Sequence, residues 1–344
     1  MPSPHISPLG ADLRCRAASR GRTLSRILLA AFATVALLAT TLSVGPSASA
    51  AVAVPKTPTG LPSAIERPTT YVKSYACDMR VQPGTQALAS LLKTTYPNIN
   101  YGLNRTCTSQ GEHSDGRAID WMATTANPTT KAYGKAFIAW LLKTDAAGNR
   151  FANARRLGVM YVIYDGRIWG SYTSGDGWKE YMSCSTSGSF NLCHRDHVHI
   201  SLSWEGARKS TSFWTKKVAA TNYGPCRVDG LRWAYRYTAA RATPCVPVSS
   251  ITAPTTATAK QQNLVTNSGQ RLALGDVGPG VAAVQAVLGV TPTGTFGPIT
   301  QEAVLKFKAK ATGLAANAIV GIGTWKSLLS TFVPKAIITP PQHR

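Results

Sequence analysis

Apolar positions recur along the first two-thirds of the chain with two different periods. Residues 84–96 place Ala87, Leu88, Leu91 and Leu92 at helical spacing, and Pro97 ends that helix. Asn127-Pro128-Thr129 reads as a helix start ahead of 133–144, where Phe137, Trp140 and Leu141 share a face. Between and after these, 118–122, 158–164 and 197–204 are β-branched and aromatic runs that predict strands. Asp165-Gly166 is a hairpin signal, so 167–170 is the returning strand. Helices mixed with antiparallel hairpins predict an α+β class.

Further along, Trp233, Tyr235 and Tyr237 alternate inside 222–246, which reads as a disulfide-closed hairpin packed on the first domain. Its aromatics either line a groove or serve packing. Residues 249–269 have a linker composition. In 270–333, Val281, Val284, Gln285 and Leu288, then Ala303, Val304 and Phe307 after Thr300, then 324–329, predict three short helices around one apolar core. The expected layout is a signal peptide at 1–50, a linker at 51–67, a catalytic-type domain with its disulfide-closed extension at 68–248, a linker at 249–269, a small all-α domain at 270–333 and a tail at 334–344.

Composition changes the picture in three ways. Five arginines precede an apolar run from Ile27 to Val44, and Ala48-Ser49-Ala50 follows as a cleavage signature, so export is expected. No further segment is apolar enough to predict stable membrane insertion after cleavage. Of seven cysteines, Cys15 leaves with the signal, and Cys77, Cys107, Cys184, Cys193, Cys226 and Cys245 remain as an even set. In an exported chain these predict disulfides, and pairing in sequence order closes the most compact loops. The formal charge is +22; losing five arginines and Asp12 leaves +18. No nucleic-acid module accompanies that charge, so an anionic extracellular polymer of the cell wall is the expected partner, alongside basicity that serves solubility alone. A monomer, secreted and wall-associated, is expected.

The candidate chemistry lies in two motifs. Six histidines occur, and His5 and His343 sit in the end segments. The other four fall in Gly111–Asp120, with His113, and in 194–199, with His194, His197 and His199. Imidazole and carboxylate are zinc ligands, and a catalytic site needs three protein donors with a fourth position left for water. Strand alternation places His197 and His199 on one face and turns Asp196 to the other. Zn²⁺ is therefore the expected cofactor.

His113, Gly116, Ala118 and Asp120 match H-x-x-G-x-A-x-D, and His197 with His199 match a late H-x-H. The pair resembles the zinc D,D-peptidases of the lysostaphin, D-alanyl-D-alanine peptidase and hedgehog type. The resemblance implies an antiparallel-sheet zinc peptidase domain, with His113, Asp120 and His199 as zinc ligands and His197 acting in catalysis. It implies hydrolysis of peptidoglycan stem peptides or cross-links, as a D,D-carboxypeptidase or endopeptidase. His194 occupies the place of a further histidine in the murein endopeptidase branch. Asp196 stands where the dipeptidase branch has a glutamate, and is a second candidate base. Arg105 is the nearest upstream arginine that would hold a substrate carboxylate. Asp276, Gly278 and Gln285, then Gly294-Thr295-Phe296-Gly297 and Thr324-Trp325, resemble the peptidoglycan-binding domain of wall hydrolases, with Phe307-Lys308 where that family usually has Phe-Gln. A wall-binding protein that keeps the fold without turnover is the competing expectation.

Overall fold

Six antiparallel strands order the first part of the molecule, in a computed structural model that describes residues 51–78, 80–103, 107 and 111–341. The strands are β1 (Tyr101–Gly102), β2 (Ala118–Trp121), β3 (Val159–Tyr164), β4 (Arg167–Gly170), β5 (Lys179–Glu180) and β6 (Val198–Leu202), in spatial order β1-β2-β6-β3-β4-β5. The helices α1 (Pro83–Thr95), α2 (Pro128–Leu142), α3 (Ala152–Leu157), α4 (Trp204–Ala207) and α5 (Ser212–Thr215) accompany them. The mixed α and antiparallel β character expected from the sequence is what the chain adopts.

The two faces of this sheet differ because side chains alternate along each strand. Ile119, Trp121, Val162, Tyr164, Val198, Ile200 and Leu202 point into one core with Leu88 and Leu92 of α1 and Phe137 and Leu141 of α2. The intervening positions of β2 and β6 carry Asp120, His199 and Ser201. α1 enters through Pro83 in its first turn, and α2 through Pro128 with the Asn127 side chain accepting from the Thr129 and Thr130 amides.

Several expectations are corrected. Residues 51–67 hold no helix or strand, yet they are fixed to the domain rather than linking freely. Tyr96 Oη donates to the Ala53 carbonyl, Arg156 Nη2 donates to the Pro62 carbonyl, and buried Glu66 accepts from Ser212 through both its amide and its hydroxyl. Residues 222–246 form no paired strands: Tyr223 N donates to Arg241 O and one isolated antiparallel bridge joins Arg227 to Ala234, while other backbone bonds leave the segment. Trp233 N donates to Ser268 O, and Ala234 N donates to Tyr75 O. Trp233 is buried and Tyr237 stacks on Trp204 at 5.1 Å, so these aromatics serve packing.

Residues 249–269 and the tail are also structured. β7 (Ser250–Thr252) pairs with β8 (Ile337–Thr339), and α6 (Ala259–Thr266) starts at a capping box formed by Thr258 and Gln261. α6 buries Leu264 and Val265 beside α7 (Pro279–Val287), α8 (Pro298–Ala309) and α9 (Ile322–Phe332), so this core is built by four helices rather than three. Leu231 and Ile251, from the segments before it, lie in the same core. The described residues from 51 onward cluster as one unit.

The three disulfides join Cys77 to Cys107, Cys184 to Cys193 and Cys226 to Cys245, in sequence order. Each such link typically contributes about 2–4 kcal/mol. They are consistent with an oxidising extracellular compartment. Among the described residues no helix is long and apolar enough to cross a membrane. The expected signal segment, Cys15, His5, His343 and Arg105 lie outside the described residues.

Candidate metal centre

On the polar face of the sheet, pairing of β2 with β6 sets Asp120 directly opposite His199. His113 reaches the same point from a single 3₁₀ turn, Glu112–Asp115. Gly116 closes that turn at φ 73°, and a Cβ there would lie 2.1 Å from the Arg80 carbonyl, so only glycine fits. Arg117 locks the turn from beneath. Its guanidinium donates to both Asp115 carboxylate oxygens and to the Leu202 and Val72 carbonyls, with the Trp204 ring 4.8 Å away. The close approach that this glycine permits is with Arg80.

His113 Nε2 lies 3.0 Å from Asp120 Oδ1 and 3.3 Å from His199 Nδ1, and His199 Nδ1 is 2.9 Å from Asp120 Oδ1. Donors around a tetrahedral zinc at about 2.0–2.1 Å stand about 3.3 Å from one another. The three side chains are buried, and their donor atoms form a group that could hold a metal ion. Burial alone would raise the Asp120 carboxyl, but the His113, His197 and His199 rings outweigh it and hold it well below the usual carboxylate range. Burial, the largest influence on His199, pushes its imidazole down against the pull of Asp120, and His113 adds to that fall. A neutral imidazole beside an ionised carboxylate is the donor state a cation needs.

The outer nitrogens are also engaged. His199 Nε2 meets Ser201 Oγ at 2.9 Å, Ser201 Oγ donates to Glu112 Oε2 at 3.4 Å, and Tyr161 Oη donates to the same oxygen at 2.5 Å. His113 Nδ1 lies 3.4 Å from the Leu103 carbonyl. Such outer contacts fix ring orientation around a metal. Glu112, Tyr161 and Ser201 were not singled out in the sequence. Ser201 stands two residues after His199, which places it on the same strand face, and that spacing was the available signal.

His197 precedes β6 and points its Nε2 to within 3.3 Å of Asp120 Oδ1; that buried nitrogen makes no directed hydrogen bond. Its Nδ1 contacts Asp196 Oδ1 at 2.8 Å, and Asn191 Nδ2 donates to Asp196 Oδ2. Asp196 was expected to turn away by alternation. It does not, because it lies ahead of the paired strand and is free of the pleat. Its carboxylate meets the His197 ring and orients it. Burial lowers His197, but Asp120 and Asp196 together outweigh it and leave the ring above its ordinary value.

His194 sits 4.8 Å from His197 and 5.6 Å from His199 between ring centres. With them it forms a second group that could hold a metal, sharing His199. Burial first, then the two neighbouring imidazoles, push His194 down to about 4.

Comparison with known proteins finds one family model, described as VldE, C-terminal domain, matching residues 77–189. That span contains His113 and Asp120 and stops short of the 194–199 motif. No curated protein and no solved structure matches the chain.

Proposed function

We propose that this chain is an exported zinc metallopeptidase that hydrolyses peptidoglycan stem peptides or cross-links, as a D,D-carboxypeptidase or endopeptidase. The observation that carries the reading is the convergence of His113 Nε2, Asp120 Oδ1 and His199 Nδ1, with His197 and its Asp196 partner beside them. Zinc held by His113, Asp120 and His199 would supply a Lewis acid for a carbonyl and for water. The protein's own groups do the rest. The Asp196 contact holds a proton on His197 Nδ1, so its Nε2 faces the centre as the atom that takes or returns a proton. The Ser201–Glu112–Tyr161 chain keeps the His199 ring from rotating away.

The four-helix part supports wall association. Gln285 ties its Gly294–Phe296 turn together by donating to Thr295 O and Thr300 Oγ1 and accepting from Gly294 N. A surface groove of about 750 Å³, lined by Val287, Ile299, Phe307 and Lys310, with Lys306 paired to Glu302 at its edge, offers apolar groups and the Lys310 cation to an anionic wall polymer.

Digestion of purified sacculi, with and without chelator, tests the activity. Released D-alanine or cleaved cross-links that disappear with chelator are expected. Intact sacculi after treatment with zinc-loaded protein would remove the peptidase assignment.

A further inference from the structure

An aromatic path leads outward from the metal centre. The Tyr161 ring stacks on His199 at 5.5 Å, Tyr71 lies 6.5 Å from Tyr161, and Tyr172 meets Tyr71 edge-on at 5.3 Å. Tyr161 is mostly covered, and its hydroxyl donates to Glu112. Tyr71 and Tyr172 remain 51% and 39% exposed. Two adjacent half-exposed rings beside a catalytic-type centre serve no core, and such faces mark a binding surface.

Tyr172 also lines a cleft of about 470 Å³ with Thr70, Thr173, Ser174 and Asp176. The Thr70, Thr173 and Ser174 hydroxyls make no hydrogen bond with any described residue. The Asp176 carboxylate is half exposed beside Lys179. The cleft thus combines an aromatic face, free hydroxyls and a carboxylate acceptor. A sugar ring has the matching form, with a C–H face that packs on an aromatic ring and a rim of hydroxyls and amides that hydrogen-bond.

We propose that the cleft at Tyr172, together with the adjoining Tyr71 ring, is a glycan subsite that holds an N-acetylated amino sugar of the substrate polymer while the attached peptide extends to the metal centre. This rests on the peptidase reading for its substrate, but the binding can be measured without turnover. Reach agrees with it: four or five extended residues span about 13–18 Å. The three ring-to-ring steps from His199 to Tyr172 cover a path of similar length.

Titration of the full chain with the tetramer of N-acetylglucosamine, followed by calorimetry and by protein NMR, is the test. Binding that weakens about fivefold or more in Tyr172→Ala and in Tyr71→Ala, while Tyr172→Phe keeps wild-type affinity, is the expected result. Both rings are exposed, so circular dichroism of the variants should match wild type. No binding by wild type, or equal binding by wild type and Tyr172→Ala, would overturn the subsite, the second by placing the sugar elsewhere. A chain that binds the tetramer through Tyr172 yet leaves wall peptides intact keeps the subsite and loses the peptidase reading. A chain that cleaves wall peptides and binds no tetramer loses the subsite alone.

Discussion

At the residue scale, His197 and His199 differ by what each ring nitrogen faces. His199 Nδ1 meets Asp120 and His113, whereas His197 is held through Nδ1 by Asp196 and approaches with an unbonded Nε2. His199→Ala is expected to lose zinc, since two donors hold the ion far more weakly than three. His197→Ala should keep about one zinc per chain and lose about 10²–10⁴-fold in rate, about 3–5 kcal/mol. Metal analysis and turnover of both variants check this, and the opposite pattern reverses the two roles. His194 gives a pH prediction. Its folded pKa is pushed from the ordinary 6.5 to about 4, so between those values the unfolded chain binds a proton that the folded chain refuses. Its contribution to stability is therefore intact above about pH 6.5 and falls as the pH drops towards 4. Melting curves of metal-free protein should show His194→Gln losing less stability than wild type over that window; parallel curves would contradict it. That His113 and Asp120 would gather with the later imidazoles was legible from spacing and residue type, whereas the choice of His199 among them came from the resemblance. Glu112 and Tyr161 were not, because they meet the site through hydrogen bonds formed only when β3 lies beside β6.

At the element scale, β2, β3, β4 and β6 were readable from β-branched and aromatic runs and the hairpin signal, and α1 and α2 from the helical spacing of their buried residues; β1 and β5, two residues each, carry no such pattern. α6 was not readable either, since its Ala-Lys-Gln-Gln start is polar and only Leu264 and Val265 are buried. Tertiary contact, not local pattern, makes 249–269 part of the C-terminal core. Residues 222–246 misled for the opposite reason: alternating aromatics imitate a strand, while their contacts divide between Trp204, Ser268 and Thr266. A consequence is that 270–333 alone lacks part of its core. A fragment of 222–341, which keeps Leu231, Ile251, Leu264 and Val265, should melt cooperatively. One beginning at 270 loses Leu231, Ile251, Leu264 and Val265, each worth about 1.5–3 kcal/mol, and should unfold at much lower temperature or fail to fold. Equal melting temperatures in calorimetry would show that the segments before 270 add nothing.

At the scale of the whole molecule, a disulfide-closed extension fastens the sheet domain to the C-terminal core. Ala234 bonds Tyr75 on one side, and Trp233 bonds Ser268 on the other. The cysteine pairing was legible from compact loop closure, but the fastening was not, because it depends on contacts far apart in sequence. The same distance separates the two halves of the metal centre, His113 and Asp120 from His199, which only the pairing of β2 with β6 unites. The proposed metal chemistry depends on that union. Anomalous diffraction at the zinc edge, on protein purified without chelator, addresses it most directly. The predicted result is one zinc bonded to His113 Nε2, an Asp120 carboxylate oxygen and His199 Nδ1 at about 2.0–2.2 Å. Zinc absent from the crystal, or bound only at His194 and His197, would contradict the account.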